Sequence, residues 1–321
     1  MSNALKDIIP TWVKHHKKRW GDCQFDILYG HGGVTHQAVL KSELLKKGNH
    51  PRIFFHGEQT KDAIVLTHGL SDSPWYVEAI ARRFYDEGLN VILPLLPGHG
   101  LLDPDTAMED EMLDTKWREE IDTAVELAVK LGNRISLGGF STGGALSCNK
   151  ALRNPEAIKG GLFLYAGALS IGAFNDRLAG IGIVQKMVRQ QDGKIVGVGQ
   201  DPYKYPIFPK FGGTELAQII TQNQRLSEGK RITQPVFAAH SLHDETADLN
   251  GILEFLKNNV ERGEAFLISQ NVRHAETPLA VDVPLDFSQE LAPEYEPKAN
   301  PQFEEMMQAS LVFYRKHIVA H

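Results

Sequence analysis

Cysteine is scarce: only Cys23 and Cys148 occur in 321 residues. Two thiols cannot build the framework of cross-links that supports a small secreted fold, so stability has to come from an ordinary buried core. Long apolar runs are missing too. No stretch reaches the roughly 20 residues that cross a bilayer, and the first twenty residues lack a signal-peptide core, which points to a cytoplasmic protein. Nor is there an excess of positive charge. With 34 Lys and Arg against 40 Asp and Glu, interspersed, the net charge is -6. No broad basic surface is available for phosphate backbones, and nucleic acid is not expected as a partner.

What is present is glycine in informative places. Arg134-Ile-Ser-Leu-Gly-Gly-Phe-Ser141-Thr-Gly-Gly-Ala-Leu146 reads as an apolar strand, a Gly-x-Ser-x-Gly turn and the start of a helix. That order lets a serine stand on a tight turn at the top of a sheet with its hydroxyl exposed, at a helix start whose unpaired N–H groups favour negative charge. Gly139 and Gly143 flank it because a side chain there would collide with the neighbouring strand or helix. The motif by itself is short enough to arise by chance. Its position in the chain gives it weight.

Residues 4 to 20 carry Leu5, Ile8, Ile9, Trp12 and Val13 on one potential helical face, followed by a basic cluster from Lys14 to Arg19. That pattern suits a terminal helix packed on its own domain, or a weak contact with an anionic membrane surface. His15 and His16 are adjacent and should not share a helix face, which argues against a metal site there. Short runs from Gln24 to Gly57 read as antiparallel edge strands, with the His-Gly pairs at 31 and 56 as turns. From Ala63 the rhythm is strand then helix. Strands are expected at 63–67, 89–93, 134–140, 160–165, 234–239 and 264–268, and helices follow near Pro74 and over 115–131, 142–152, 214–226 and 247–260. A closing helix carries Phe303, Met307, Leu311, Tyr314 and Ile318 on one stripe. The Gly-x-Gly fragments at 180–182 and 197–199 do not sit between a strand and a helix, so they are not dinucleotide sites. The expectation is one α/β domain over residues 1–321, with a mostly parallel sheet flanked by helices.

Such sheets gather functional groups beyond the carboxyl ends of their strands. Ser141, Asp244 and His274 each lie just past a predicted strand, in the order serine, acid, histidine. A serine hydroxyl is a poor nucleophile unless a base takes its proton during attack, a task for His274, which would later protonate the leaving group. Asp244 would hold the imidazole in the useful tautomer. Backbone N–H groups of Leu70 and Thr142 would receive the charge of the tetrahedral intermediate. Asp244 could instead cap the following helix, with Glu245 or Asp248 as the acid. His240 and His243 form a His-x-x-His pair, but zinc needs at least a third ligand.

With these residues in view, the chain resembles the α/β-hydrolase superfamily, and more narrowly bacterial carboxylesterases, monoacylglycerol lipases and lysophospholipase-like serine hydrolases. The matching text is His68-Gly-Leu70, Pro94-Leu-Leu-Pro-Gly-His-Gly100, Gly139-Phe-Ser-Thr-Gly-Gly144, Asp244 and His274. The resemblance implies a cytoplasmic serine esterase working through an acyl-enzyme on a small ester or lipid-like substrate, without metal or organic cofactor. A thioesterase, a proline-type peptidase or amidase, or a noncatalytic binding protein would share much of the pattern. It also implies a small cap at 170–213, inserted after the sixth strand, in which Leu178, Ile181, Val184 and Met187 either line an acyl pocket or seal the cap to the core. Residues 276–300 depart from the pattern: they are long, proline-rich and acidic, and suggest a flank that disfavours anionic substrates.

Overall fold

The computed structural model describes residues 3–31, 33–170, 202–205, 209–280 and 299–320. Nine strands form one sheet in the order β1-β2-β3-β5-β4-β6-β7-β8-β9. The strands are β1 (Gln24–His31), β2 (Val34–Lys41), β3 (Arg52–Phe55), β4 (Thr60–Thr67), β5 (Asn90–Leu93), β6 (Gly132–Phe140), β7 (Leu162–Tyr165), β8 (Val236–Ser241) and β9 (Gly263–Ile268). The first three run antiparallel at one edge, and the other six are parallel. The text dictates this split. A hairpin joins β1 to β2 directly and short connections without a helix lead on to β3 and β4, whereas each strand from β5 on is reached through a helix, and only a crossover of that kind can return the chain parallel.

The described helices are α1 (Asn3–Trp20), α2 (Glu78–Asp86), the one-turn α3 (Asp105–Met108), α4 (Leu113–Ala128), α5 (Thr142–Arg153), α6 (Lys210–Ser227), α7 (Leu249–Asn259) and α8 (Phe303–Tyr314). They cover both faces of the sheet. One core joins α1, α4, α5 and α6 to side chains such as Val65, Ile92 and Leu137, and the other joins α2 and α8 to Ile64, Val91 and Phe163. Alternate residues of each central strand thus go to opposite cores, and β4 and β5 read as continuous apolar runs.

The apolar face of α1 is spent on the protein itself: Leu5, Ile8 and Trp12 are buried, with the Trp12 ring edge-on to Phe25. His15 and His16, expected to point apart, converge on the buried Glu120 of α4, at 2.9 and 3.3 Å. Adjacent residues lie only about 100° apart around a helix, so two long side chains can straddle one carboxylate. Arg19 also reaches Glu120, at 2.7 Å. Burial alone would raise the Glu120 carboxyl, but these three partners hold it well below its ordinary range. The ligand-type atoms of His15, His16 and Glu120 lie within 4.8 Å of one another, yet Arg19 already supplies that carboxylate with a cation.

Arg52 and Glu78 form an ion pair in which both side chains are fully buried. Arg52 also donates to Gly48 O at 2.7 Å, and Arg82 shares Glu78 at 2.6 Å. Removing one member of a buried pair typically costs about 3 to 5 kcal/mol, because a charge is left without its partner. Arg52→Ala is expected at the low end, since Arg82 remains on Glu78. Denaturant unfolding of the two proteins would check this, and an unchanged midpoint would contradict it.

Helix α6 begins at Lys210, before the Thr214 expected from the sequence. The two glycines at 212 and 213 look like a break, but a Cβ at Gly212 would come within 3.0 Å of Leu70 Cδ1 and 3.1 Å of Met108 Sδ. Glycine there lets the first turn of α6 pack closely on the loop after β4. The strand preceding residue 170 is β7, the seventh in chain order. Most of the expected cap, including Leu178, Ile181, Val184 and Met187, lies outside the described residues, as does 281–298 of the acidic segment.

Candidate active site

The register of the parallel strands brings the candidate residues to one rim. Thr67 pairs with Gly139, Phe140 with Tyr165, Tyr165 with Ala239, and Ser241 with Ile268. The residues that follow, His68 to Leu70, Ser141, Leu242 to Asp244 and the stretch into His274, therefore leave the sheet at its carboxyl edge.

Ser141 sits between β6 and α5 with φ 51° and ψ -112°, a backbone that non-glycine residues rarely adopt. The surroundings force it. A Cβ on Gly143 would fall 2.0 Å from Thr67 O, and one on Gly139 would fall 2.5 Å from the same oxygen. Only glycine on both sides lets β6 turn this sharply into α5 beside β4. The Ser141 N–H donates to Tyr165 O at 3.0 Å, and its carbonyl accepts from Gly144, Ala145 and Ala168. The turn is thus tied to β7 and to the loop after it. Thr142 is the first residue of α5, where N–H groups have no intrahelical partner.

The loop after β4 is braced from within. His68 is buried, its Nδ1 lies 2.8 Å from Gly69 O, and its Nε2 accepts from Leu96 N–H at 3.1 Å. Leu96 can only donate, so the imidazole carries its proton on Nδ1 and gives it to the Gly69 carbonyl. The Gly69 C=O and the Leu70 N–H belong to one trans peptide unit and point in opposite directions. Fixing the carbonyl therefore aims the Leu70 N–H the other way. Leu96 and His99 come from the Pro-Leu-Leu-Pro-Gly-His-Gly text, which is what steadies His68. His99 packs its ring 4.9 Å from that of His68, and Trp117 Nε1 ties down Pro97 O at 2.8 Å.

These imidazoles make the fold sensitive to acid. Burial pushes His99 down to about 4, and burial together with His99 holds His68 well below the ordinary 6.5. Unfolded histidines take up protons near 6.5, so between there and about 4 the unfolded chain binds more protons and stability falls with falling pH. For His99 alone the full loss is about 3 kcal/mol. The thermal midpoint should drop between pH 7.5 and 5, less so in His99→Gln. A midpoint that does not move over that range would contradict it.

Asp244 and His274 meet: Asp244 Oδ2 lies 2.7 Å from His274 Nδ1. The Asp244 side chain is fully buried, and its other oxygen accepts from the N–H groups of Thr246 and Ala247 at 2.8 and 2.9 Å. Burial alone would raise this carboxyl, but His274 and the two N–H groups hold it below its usual range. Asp248, the alternative acid, caps α7 instead, accepting from Asn250 N–H at 3.0 Å. His240 Nε2 approaches Ala247 O at 3.1 Å and Asp244 Oδ2 at 3.4 Å, so it supports the acid's loop. Ser241 Oγ donates to Val272 O at 2.6 Å, tying the acid's loop to the stretch that carries His274. The His274 ring lies 4.8 Å from that of Phe140, the residue before Ser141. Sequence reasoning missed His68, Leu96 and His240 as supports. A histidine next to an apolar strand end was the only local signal for the first.

A family model described as "Alpha/beta hydrolase family" matches residues 64–209, the stretch from the second half of β4 through β7, with Ser141 in it. The chain has the α/β-hydrolase fold. No curated protein matches the sequence. Among solved structures, this chain is similar in fold to one from the metagenome-derived lipolytic enzymes LipS and LipT. That match has 20% identity over 86% of this chain and 100% of that one, with a TM-score of 0.65. It is also similar to the monoacylglycerol lipase of Paleococcus ferrophilus, at 19% identity over 81% and 97% of the two chains and a TM-score of 0.58. A third is Est1E from Butyrivibrio proteoclasticus with ferulic acid bound, at 17% identity over 84% and 95% and a TM-score of 0.56. At these identities the likeness is one of fold. None of the described helices is long and apolar enough to cross a membrane.

Proposed function

We propose that this protein is a serine hydrolase that cleaves carboxylic esters through an acyl-enzyme, with Ser141 as nucleophile, His274 as base and acid, and Asp244 as the group that orients His274. The observation that carries this reading is the 2.7 Å contact between Asp244 and His274 at the rim where the strained Ser141 turn emerges. With Asp244 on Nδ1, the proton of a neutral His274 sits there and Nε2 is left as the base. Ser141 Oγ attacks the ester carbonyl as His274 takes its proton, and the charge passes to an oxygen received by the Leu70 and Thr142 N–H groups. Collapse expels the alcohol, protonated by His274, and water repeats the sequence on the acyl-enzyme. Lipolytic and esterase chemistry in the structures of similar fold supports an ester substrate. Two free cysteines fit a reducing, cytoplasmic setting.

Covalent labelling by a fluorophosphonate tests the reading: one adduct on Ser141 is expected, lost in Ser141→Ala, and no adduct would refute it. Rates on p-nitrophenyl esters of graded chain length, acyl-CoA and proline arylamides then separate ester, thioester and amide hydrolysis. Activity is expected to withstand chelators.

A further inference from the structure

Residues 202–205 lie across the loop that follows β4 and grip it at several points. Tyr203 stacks on Trp75 with centroids 4.4 Å apart. Tyr205 N–H donates to Ser71 O at 2.9 Å, and Ser71 has a left-handed backbone with φ 66°. The Tyr205 hydroxyl anchors the segment to the loop after β5 instead, accepting from Leu101 N–H and donating to Gly98 O. Lys204 places Nζ 3.0 Å from Asp72 Oδ1 and 5.3 Å from the centre of the Tyr76 ring.

Asp72 is the unusual member. It is buried to 1% exposure, two positions beyond Leu70, with its carboxylate folded back on the chain: a Cβ on Gly69 would meet Asp72 Oδ2 at 2.5 Å. A buried anion against the peptide that presents the Leu70 N–H works against a second anion forming at that N–H, because like charges repel strongly where water is excluded. The ammonium of Lys204 offsets it.

We propose that Lys204, through its ion pair with Asp72, is a positioning residue for the oxyanion site: it holds the 69–72 loop in place and cancels the charge that Asp72 would otherwise present to the reaction. This rests on the serine-hydrolase reading above. The pair is a matched device, so removing one charge harms turnover and removing both restores it.

Steady-state kinetics on a p-nitrophenyl ester test this with Lys204→Met, Lys204→Arg and the double variant Asp72→Asn/Lys204→Met. In Lys204→Met, kcat should fall about thirtyfold while KM stays within about threefold, the pattern of an interaction made in the transition state. Lys204→Arg and the double variant should both return kcat to within about threefold of the parent. A structural role alone would raise KM, or leave the double variant as poor as the single one, and either result overturns the proposal. Ser141→Ala run alongside separates the two readings. If it stays active, the serine mechanism itself fails. If it is inactive while Lys204→Met matches the parent in kcat, only the role of Lys204 fails.

Discussion

Ser141→Ala should lower the turnover of a p-nitrophenyl ester by about a millionfold and leave the thermal midpoint unchanged, by analogy with loss of the nucleophile in a serine protease. The size of the effect follows from the division of labour at the rim. In the proposed mechanism, loss of the hydroxyl leaves His274 and the N–H groups of Leu70 and Thr142 in place, but no acyl-enzyme can form. The fold should survive because the φ of 51° is imposed by Gly139 and Gly143 against Thr67 O, and alanine carries the same Cβ as serine. The bonds that pin the turn, from Ser141 N–H to Tyr165 O and from three N–H groups to Ser141 O, are all backbone. Leu70→Ala, by contrast, keeps its backbone donor and should stay within about tenfold of the parent. Ester turnover by Ser141→Ala above about one part in a hundred of the parent rate would end the nucleophile assignment.

The parts of this site that could be read from the sequence are those whose cause is local or follows from a rule of topology. The turn at Ser141 needs small neighbours within two residues, so its signature is continuous. Asp244 and His274 stand out because parallel strands deliver their exits to one edge, wherever those strands fall in the chain. The supports were hidden because each is a pairing between distant segments with no pattern of its own. His68 is fixed by Leu96 N–H, and Asp72 by Lys204. Arg52 opens a short strand that is buried throughout, where a charge is out of place. That was a signal for a buried partner, but nothing in the text singled out Glu78. Gly212 misled for a related reason: a residue that breaks isolated helices was used inside one because Leu70 and Met108 press against it.

Asp244→Asn is expected to cost about ten-thousandfold in kcat with little loss of stability, the magnitude known for the equivalent change in a serine protease. The hydrogen bonds around the acid say why the isosteric amide should fail. One oxygen of Asp244 accepts from both Thr246 and Ala247 N–H, so the oxygen of asparagine is drawn to that position and the loop is kept. The amide NH2 then takes the place of Oδ2 and presents a donor to His274 Nδ1, where a carboxylate had accepted at 2.7 Å. His274 can only accept there, which moves its proton to Nε2, the atom that in the proposed mechanism must be free to take the proton from Ser141. His240 cannot reverse this, since its Nε2 hydrogen faces Ala247 O at 3.1 Å and offers nothing for the new NH2 to bond. The variant should therefore bind fluorophosphonate at Ser141 far more slowly than the parent while melting at nearly the same temperature. Labelling at the parent rate would show that Asp244 does not set the tautomer of His274, and the acid would have to be sought elsewhere on the rim.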